Sequence, residues 1–452
     1  MYNMAIDFHQ SQNKIYIFIE GEQMNVTAIT LGCKVNQYES QAMLNELSSA
    51  GFSVCSSAAE SDVILINSCT VTAMSDRKVR HALHKARRES PDAVIVLSGC
   101  LPQAFPAEAA KLTEADIILG NSNRSSLLPN IQKFLSTHRR IIDIIPHKGT
   151  FEPIEVNRFF ERTRAFVKIE DGCNRFCSYC IIPYARGRVC SKNPDDLRHE
   201  LGRIAAGGYR EVVLTGINLS AYGQDLGLTL CDAVEIACAQ DGIQRVRLGS
   251  LEPEQLDKDT IARLARQKKL CPQFHLSLQS GCDRTLKRMN RHYTADEYRT
   301  IVRNLRDAFP NTAITTDIMV GFPGETEEEF CESLAFEQEI GFAKAHVFIY
   351  SRRPGTAAAK AAGQISPEVA EIRSKRMLEA AERTRKSFFN SQVGKVEPVL
   401  FERECGKNIY EGYTENYTPI HVHSTKALHG KIIPVRISGF TKDFCMAEPI
   451  SV

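Results

Sequence analysis

Six cysteines fall into two sets of three, and their spacing carries the clearest chemistry in this sequence. The compact set is a C-x3-C-x2-C run that directly follows the apolar stretch 165–169: Cys173, Cys177 and Cys180. Three soft thiolates in one loop suit a [4Fe–4S] cluster whose fourth iron has no protein ligand and is free to bind a substrate. A zinc site, which usually has four protein ligands, and ordinary buried thiols are the alternatives.

The second set is spread along the chain, at the ends of three similar runs, "VTAITLGC", "DVILINSC" and "AVIVLSGC": Cys33, Cys69 and Cys100. Runs of this composition predict buried parallel strands. The carboxyl ends of parallel strands meet at the sheet edge where open α/β folds bind ligands. A single cysteine at such a place is usually just a buried thiol, but the threefold repetition favours a second cluster.

Length and composition limit the class of protein. The chain has 452 residues, of which 43% are hydrophobic, enough for two to four domains. Its net charge of +2 neither favours nor excludes a nucleic-acid partner. No signal-peptide core and no apolar run of membrane-spanning length is present, so we expect a cytoplasmic protein with reduced thiols. The other nine cysteines are then expected to act as small hydrophobic residues: Cys55, Cys190, Cys231, Cys238, Cys271, Cys282, Cys331, Cys405 and Cys445.

The N-terminal part of the chain is predicted to form one α/β domain. We expect residues 1–24 to be a disordered tail outside the fold. From 25 to 138, strands alternate with helical patterns over 36–51, 75–91 and 107–115. This alternation predicts a parallel sheet covered by helices. A polar, proline-interrupted connection follows at about 139–158.

Two further modules are predicted after this connection. In residues 159–388 the alternation resumes, with six strand-like runs at 165–169, 211–215, 245–249, 274–278, 314–320 and 345–350. Six βα units are too few for a closed eight-stranded barrel, so we predict a partial (βα)6 barrel whose active face is at the carboxyl ends of the strands. Ser366 and Pro367 open a long basic helix. The short runs in 391–452 predict a small β-barrel.

Several motifs resemble one enzyme family. "GCNRFCSYC" resembles the signature of radical S-adenosylmethionine enzymes. In chain order, "TLGCKVNQYES", "NSCTVT", "SGCLPQ", "LSLQSGCDRTLKRMNRHYT", "DIMVGFPGET" and "YSRRPGTAA" resemble the methylthiotransferases, over about residues 26–452. The resemblance implies a methylthiotransferase N-terminal domain, a radical core and a C-terminal TRAM domain. "TLGCKVNQYES" and "GYTENY" are most similar to the branch that acts on threonylcarbamoyladenosine in tRNA.

The resemblance also implies cofactors, partners and a reaction. The cluster on Cys173, Cys177 and Cys180 would bind S-adenosylmethionine, whose reductive cleavage gives a 5′-deoxyadenosyl radical. The cluster on Cys33, Cys69 and Cys100 would carry a sulfur that a second S-adenosylmethionine methylates. The radical removes hydrogen from carbon 2 of adenine, and methylthio is delivered there. The partners would be tRNA, a flavodoxin- or ferredoxin-like electron donor and a sulfur source, and we expect a monomer.

Residues at the strand ends are predicted to line the S-adenosylmethionine site: Thr215, Gly216 and Asn218; Ser250 and Glu252; Gln279 and Ser280; Gly321, Phe322 and Pro323. For the glycines and the proline, ordinary turn formation is an equal alternative.

Basic and aromatic residues are candidates for contacts with RNA. The predicted helix at 75–91 carries a basic face, read either as a phosphate track or as a solvated surface: Arg77, Lys78, Arg80, Lys85, Arg87 and Arg88. In the C-terminal module, four aromatic residues either stack on bases or form the barrel core: Tyr413, Tyr417, Phe440 and Phe444. The carboxylate of a threonylcarbamoyl group requires a cation, for which the candidates are Arg186, Arg188 and Arg353.

Three other functions remain open from the sequence. A methylthiotransferase for isopentenyladenosine in tRNA, or one for a ribosomal protein, differs only in substrate. A non-catalytic iron–sulfur carrier belongs to another class; it would explain both thiol sets but not the barrel with glycines at its strand ends.

Overall fold

The computed structural model describes residues 23–156 and 163–450, so the tail predicted at 1–24 lies outside the described residues except for its last two positions. The N-terminal domain alternates strands and helices in chain order: β1 (Asn25–Thr30), α1 (Lys34–Ser49), β2 (Ser53–Val54), β3 (Val63–Ser68), α2 (Ala73–Glu89), β4 (Val94–Gly99), α3 (Cys100–Ala104), α4 (Pro106–Ala110), β5 (Ile117–Leu119), α5 (Leu127–Thr137) and β6 (Ile141–Asp143).

These strands form one parallel sheet in the order β2-β1-β3-β4-β5-β6. Strands β3 and β4 are buried along their whole length, as their continuous β-branched sequences predict. Two details differ from the sequence-based expectation. The connection at 139–158 contains β6, and the helix predicted at 107–115 ends at Ala110 because residues 111–114 turn before β5.

The second module contains the following elements: β7 (Arg164–Lys168), β8 (Glu170–Asp171), α6 (Ile182–Arg186), β9 (Cys190–Ser191), α7 (Pro194–Ala206), β10 (Glu211–Thr215), α8 (Leu230–Ala239), β11 (Arg245–Leu248), β12 (Ser250–Leu251), α9 (Lys258–Ala265), β13 (Gln273–Leu276), α10 (Asp283–Arg288), α11 (Ala295–Ala308), β14 (Ala313–Val320), α12 (Glu327–Ile340), β15 (Lys344–Ile349) and α13 (Ala357–Lys360).

The predicted partial barrel is confirmed. Strands β7, β10 and β11 pair in parallel, as do β12, β13, β14 and β15. Gly249 separates β11 from β12, so one continuous run passes from the first group to the second. The outer faces of the strands pack against the helices in a single large core that includes Val212, Leu276 and Phe330. All six main strands therefore present their carboxyl ends at one edge.

The predicted long helix lies at the end of the second module, before the C-terminal barrel. Ser366 caps α14 (Pro367–Gln392) by accepting a hydrogen bond from the Val369 amide. Five strands follow and close into a barrel in the order β16-β17-β18-β20-β19: β16 (Val396–Gly406), β17 (Ile409–Thr414), β18 (Pro419–His423), β19 (Ile432–Phe440) and β20 (Cys445–Pro449).

The closed barrel docks at the amino-terminal ends of the second module's strands, opposite the predicted active face. Arg245 donates to the Pro398 carbonyl at 2.6 Å, Arg247 donates to the Glu415 carbonyl at 2.7 Å, and Arg164 pairs with Glu402 at 2.5 Å. None of the helices in the described ranges has the length and hydropathy that a bilayer crossing requires.

Candidate functional site

The structure brings the three dispersed cysteines together. Strands β1, β3 and β4 are neighbours in the sheet, and Cys33, Cys69 and Cys100 come directly after or close after their carboxyl ends. Cys33 is the N-cap of α1, and Cys100 is the first residue of α3. The sulfurs lie close enough to interact electrostatically, since Cys100 acts on both Cys33 and Cys69.

Glycine permits this close approach at two positions. Gly99 has φ +104°, and a Cβ built on it would lie 2.5 Å from the Ser68 carbonyl oxygen. Gly32 has φ +133°, and its Cβ would lie 3.0 Å from the Cβ of Cys69. Any side chain at either position would both strain the backbone and push the cysteine-bearing segments apart.

The Asn36 side chain links the first two of these segments. Its amide nitrogen donates to the Ser68 carbonyl at 3.0 Å and to Asn67 Oδ1 at 3.2 Å, while its Oδ1 accepts from the Cys33 thiol at 3.2 Å. Asn67 returns a hydrogen bond to the Asn36 carbonyl at 2.9 Å. The first turn of α1 is thus fixed against the end of β3.

The compact set occupies the loop between β8 and α6. The Cys180 amide donates to the Cys177 carbonyl at 3.0 Å, and the Ser178 amide donates to the Met289 carbonyl at 2.9 Å, which anchors the loop. Arg291 donates from Nη1 to the Cys177 sulfur at 3.4 Å and is itself paired with Glu252. The loop therefore has a buried cation at one of its thiols.

Burial raises the pKa of four of the cysteine thiols, two in each set. It raises the pKa of Cys173 to about 12 and that of Cys69 to about 11, and it raises the pKa of Cys33 and Cys180 as well. The thiolate is the form that binds metal, so iron must displace protons from these cysteines.

Two unpaired amide oxygens lie at the strand ends of the partial barrel. Within the described chain, Asn218 Oδ1 and Gln279 Oε1 are buried without a hydrogen-bond partner. Asn218 lies beside the compact set, with its amide nitrogen 3.8 Å from the Cys173 sulfur. Gln279 has φ +68°, a strained conformation that recurs at ligand sites. Soft thiolates next to unpaired buried polar atoms fit an iron–sulfur cluster with a polar organic ligand.

The other residues predicted at the ends of the second, third and fourth strands differ in their burial and in their contacts. Thr215 is buried, and a Cβ on Gly216 would lie 2.5 Å from Glu170 Oε2. Glu252 is held by Arg291, whereas Ser250 is exposed. Ser280 Oγ accepts from the Cys282 amide at 3.2 Å.

The fifth strand ends in an aromatic cluster. Gly321 donates its amide to Glu325 at 2.8 Å, Phe322 is buried, and Pro323 follows it inside the protein. The Phe322 ring packs edge-to-face on Tyr179, at 6.3 Å between centroids, and on Tyr350, at 5.6 Å. Because Tyr179 immediately precedes Cys180, this cluster forms an apolar wall beside the compact thiols.

Helix α6 connects the two thiol sets. It begins two residues after Cys180 and ends at Arg186, whose Nε lies 3.3 Å from the Cys100 sulfur. The three arginines named as cations for a substrate carboxylate are now distinguished. Arg186 is buried in an ion-pair network, and Arg353 is buried against Asp76 and Thr70 at 2.8 and 2.7 Å.

Arg188 alone of the three remains exposed. Its guanidinium lies over the Phe176 ring, 4.6 Å from the centroid, and it has no carboxylate partner in the ranges that the structure describes. Phe176 lies between Cys173 and Cys177, and its ring packs edge-to-face on the exposed Tyr184 at 6.1 Å. The sequence did not reveal the roles of Arg186 and Arg291, because each contact joins segments far apart in the chain.

The remaining cysteines follow the expectation only in part. Cys190, Cys231, Cys238, Cys271, Cys282 and Cys445 are buried. Cys331 and Cys405 are exposed, contrary to their reading as small hydrophobic residues. Cys405, Glu411 and His421 each place one metal-ligand type of atom within 4.8 Å of the others. Arg403 and the Tyr413 hydroxyl already bind the Glu411 carboxylate at 2.8 and 2.9 Å, which makes this a hydrogen-bonded surface cluster.

The basic helix α2 has two kinds of arginine. Arg87 is structural: it binds Asp116 at 2.6 Å and three carbonyl groups. The other basic residues named for this helix are exposed: Arg77, Lys78, Arg80, Lys85 and Arg88.

The aromatic residues of the C-terminal module also divide. Phe440 packs on Phe389 within the barrel core. Tyr413 and Tyr417 stack on each other at 4.6 Å and lie under Arg164, so they form the interface with the partial barrel. Phe444 stacks on His421 near the surface.

Comparison with known proteins is consistent with this arrangement. The Radical SAM superfamily matches residues 167–336, and a family described as "Uncharacterized protein family UPF0004" matches residues 25–120. The threonylcarbamoyladenosine tRNA methylthiotransferase MtaB of Bacillus subtilis (strain 168) is 36% identical over 416 residues, covering 90% of this chain and 92% of the relative. The MtaB of Aquifex aeolicus (strain VF5) is also 36% identical over 416 residues, covering 92% of this chain and all of the relative.

Another curated relative has a different name. The tRNA-2-methylthio-N(6)-dimethylallyladenosine synthase of Pelotomaculum thermopropionicum is 35% identical over 426 residues, covering 91% of this chain and 94% of the relative. Among solved structures, the radical S-adenosylmethionine methyltransferase TsrM of Kitasatospora setae aligns with a TM-score of 0.54 at 14% identity, over 75% of each chain. This structural match shows a shared fold.

Proposed function

The chain belongs to the radical S-adenosylmethionine methylthiotransferase family, and we propose that it adds a methylthio group to carbon 2 of N6-threonylcarbamoyladenosine beside the tRNA anticodon. The observation that carries this proposal is the pair of three-thiol sites at the strand ends of two different sheets, joined by α6. A simple electron carrier has no need of the barrel, the strained Gln279 or the unpaired amide oxygens.

We assign the roles of the residues as follows. Cys173, Cys177 and Cys180 hold one [4Fe–4S] cluster, and Cys33, Cys69 and Cys100 hold a second. When bound, the first cluster together with S-adenosylmethionine supplies one-electron chemistry. Asn218 and Gln279 orient the polar end of the organic cofactor with their unpaired amide oxygens. The cluster of Tyr179, Phe322 and Tyr350 excludes water from the same space.

The domain assignment is part of the proposal. Residues 25–138 act as the methylthiotransferase domain, 159–388 as the radical core, and 391–452 as a TRAM module that contacts RNA. The protein works as a cytoplasmic monomer with a flavodoxin- or ferredoxin-like electron donor and an external sulfur source. Its target base is reachable because bases in single-stranded loops can be splayed out of the stack.

We assign recognition of the threonylcarbamoyl carboxylate to Arg188. Its guanidinium is exposed next to the compact thiol loop and has no carboxylate partner among the described residues, and the rings of Phe176 and Tyr184 beside it offer a stacking surface. A charge-assisted contact of this kind contributes about 1.5–3 kcal/mol. Arg188→Gln should therefore reduce selectivity for threonylcarbamoyladenosine over unmodified adenosine at least about tenfold.

The control is Arg210→Gln, which removes the same charge from an exposed arginine immediately before β10, at the opposite end of the strand. It should leave unchanged the ratio of kcat/KM for tRNA with threonylcarbamoyladenosine to kcat/KM for tRNA with unmodified adenosine. If both variants lose selectivity equally, general tRNA attraction explains the effect and Arg188 does not read the carboxylate.

The substrate itself is tested with three candidates. Reconstituted enzyme receives tRNA bearing threonylcarbamoyladenosine, tRNA bearing isopentenyladenosine, or the small-subunit ribosomal protein used by the related branch. Mass spectrometry should find methylthio product on the first alone, and the same nucleoside should disappear from the tRNA of a deletion strain. Product on either of the other two, with none on the first, would refute the substrate and retain the chemistry.

A further inference from the structure

Arg186 contacts the dispersed thiol set directly and the segment that precedes the compact set. Its Nε lies 3.3 Å from the Cys100 sulfur, and its Nη2 donates at 3.2 Å to Asn36 Oδ1, the atom that accepts from Cys33. It also pairs with Asp171, two residues before Cys173, at 3.2 Å. The side chain is buried, so these contacts are not weakened by solvent.

The charge of Arg186 belongs to a closed network. Three cations pair with three carboxylates at distances of 2.5–3.2 Å. All three cations, Arg124, Lys168 and Arg186, contact Glu39. Lys168 and Arg186 also contact Asp171, and Arg124 also contacts Glu152. Burial alone would raise the pKa of Glu39, but Arg124, Arg186 and Lys168 hold it far below its usual value. The network is neutral as a whole, so loss of the Arg186 charge leaves a buried negative charge beside Cys100.

The compact set shows the same construction. The Arg291 side chain is only 4% exposed, is paired with Glu252, and donates to the Cys177 sulfur at 3.4 Å. Each thiol set therefore has one buried arginine that is held by carboxylates and directed at one sulfur. Hydrogen bonds to cysteine sulfur and local charge are known determinants of the reduction potential of iron–sulfur clusters.

We propose that Arg186 is a positioning residue that raises the reduction potential of the cluster held by Cys33, Cys69 and Cys100, through an N–H···S hydrogen bond to Cys100 and through its positive charge. The inference rests on the second cluster of the proposed function. Reduction adds a negative charge to the cluster, and both the hydrogen bond and the cation stabilise that charge. Arg186 is thereby removed from the candidates for binding the substrate carboxylate.

The test isolates the second cluster. Replacing Cys173, Cys177 and Cys180 by alanine in the full chain leaves one site, and the reconstituted protein is titrated electrochemically while the reduced cluster is followed by EPR. In this background we compare Arg186, Arg186→Lys and Arg186→Gln. Lysine keeps the positive charge and can still pair with Glu39 through its ammonium group. It lacks the second N–H group with which arginine reaches the Cys100 sulfur. Glutamine removes the charge as well.

We expect the potential to fall in the order arginine, lysine, glutamine. Arg186→Lys should lower the ratio of reduced to oxidised cluster at a fixed potential about tenfold, equivalent to about 59 mV for one electron. If the glutamine variant does not fold, the lysine variant still decides. The matched control is Arg373→Lys, another buried arginine, paired with Glu325 at 2.8 Å and not in contact with a thiol. It should leave the potential unchanged.

The outcomes distinguish failure of the second cluster from failure of the role of Arg186. A three-alanine background that binds no cluster refutes the second cluster, and the role of Arg186 with it. A bound cluster whose potential is the same in all three proteins, or which shifts equally in Arg373→Lys, refutes the role of Arg186 alone. A graded fall confined to the Arg186 variants supports it.

Discussion

Single residues decide whether the dispersed thiols can meet. Gly99 and Gly51 both have a positive φ, +104° and +100°, but different surroundings. A Cβ on Gly99 would press on the Ser68 carbonyl, whereas a Cβ on Gly51 would meet no atom within 4 Å. Alanine at Gly51 would test backbone strain alone, whereas alanine at Gly99 would add a steric clash with the end of β3.

Gly99→Ala should remove iron from the second site while the compact site stays loaded. Backbone strain alone costs about 1–3 kcal/mol, and the contact with Ser68 adds to it by displacing Cys100. Iron content and EPR of the reconstituted variant measure the loss. Gly51→Ala should pay only the strain and keep both clusters. Equal iron content in the two variants would show that the contact with Ser68 is unimportant.

At the scale of elements, α2 and the closed barrel are the two candidates for RNA contact. Helix α2 buries Val79, Leu83 and Ala86 and leaves most of its cations in solvent. The barrel uses Tyr413 and Tyr417 for docking on the radical core, which leaves Phe444 on His421 as its surface aromatic pair.

Changing Arg80, Lys85 and Arg88 to glutamine should weaken tRNA binding and flatten its salt dependence. Each lost phosphate contact lowers the slope of log K against log salt by about 0.7–0.9, so three lost contacts give a change of about 2. Binding isotherms at several salt concentrations measure it. Lys258, Arg266 and Lys268 on or just after α9, changed together, serve as the charge-matched control. An unaltered slope in the α2 variant would make this helix an ordinary solvated surface.

Tyr417→Leu should destabilise the protein more than it weakens tRNA binding. The ring lies 4.7 Å from the Arg247 guanidinium and 5.0 Å from that of Arg164, and such cation–π contacts contribute about 0.5–2 kcal/mol each. Thermal unfolding and tRNA titration measure the two effects. Phe444→Leu should show the reverse, because a lost base stack costs about 1–3 kcal/mol of affinity. Normal stability with weak tRNA binding in Tyr417→Leu would contradict the docking role.

At the scale of the whole molecule, the two thiol sites belong to different sheets and should work separately. Replacing Cys33, Cys69 and Cys100 by alanine should leave about half of the iron, because three other thiolates remain to hold one cluster. Cleavage of S-adenosylmethionine should persist and methylthiolation should cease. Chromatographic measurement of 5′-deoxyadenosine and of the tRNA product checks both. Complete loss of cleavage would contradict this division of labour.

The sequence by itself determined the strands and the positions of the two cysteine sets. The β-branched runs before the three cysteines predict strands, so the positions of Cys33, Cys69 and Cys100 at strand ends followed from local sequence, although β1 is buried only in part. The six core strands and the cap of α14 at Ser366 were likewise predictable, since periodicity and capping are properties of neighbouring residues.

The tertiary structure alone decided which charges remain available. Arg186, Arg188 and Arg353 look equivalent in the sequence, but only folding brings Glu39 and Asp171 to the first and Asp76 to the third. The same holds for Tyr417, whose partners Arg164 and Arg247 lie on strands far away in the chain. Pairing between distant segments depends on how whole elements pack, and no local pattern of residues encodes it.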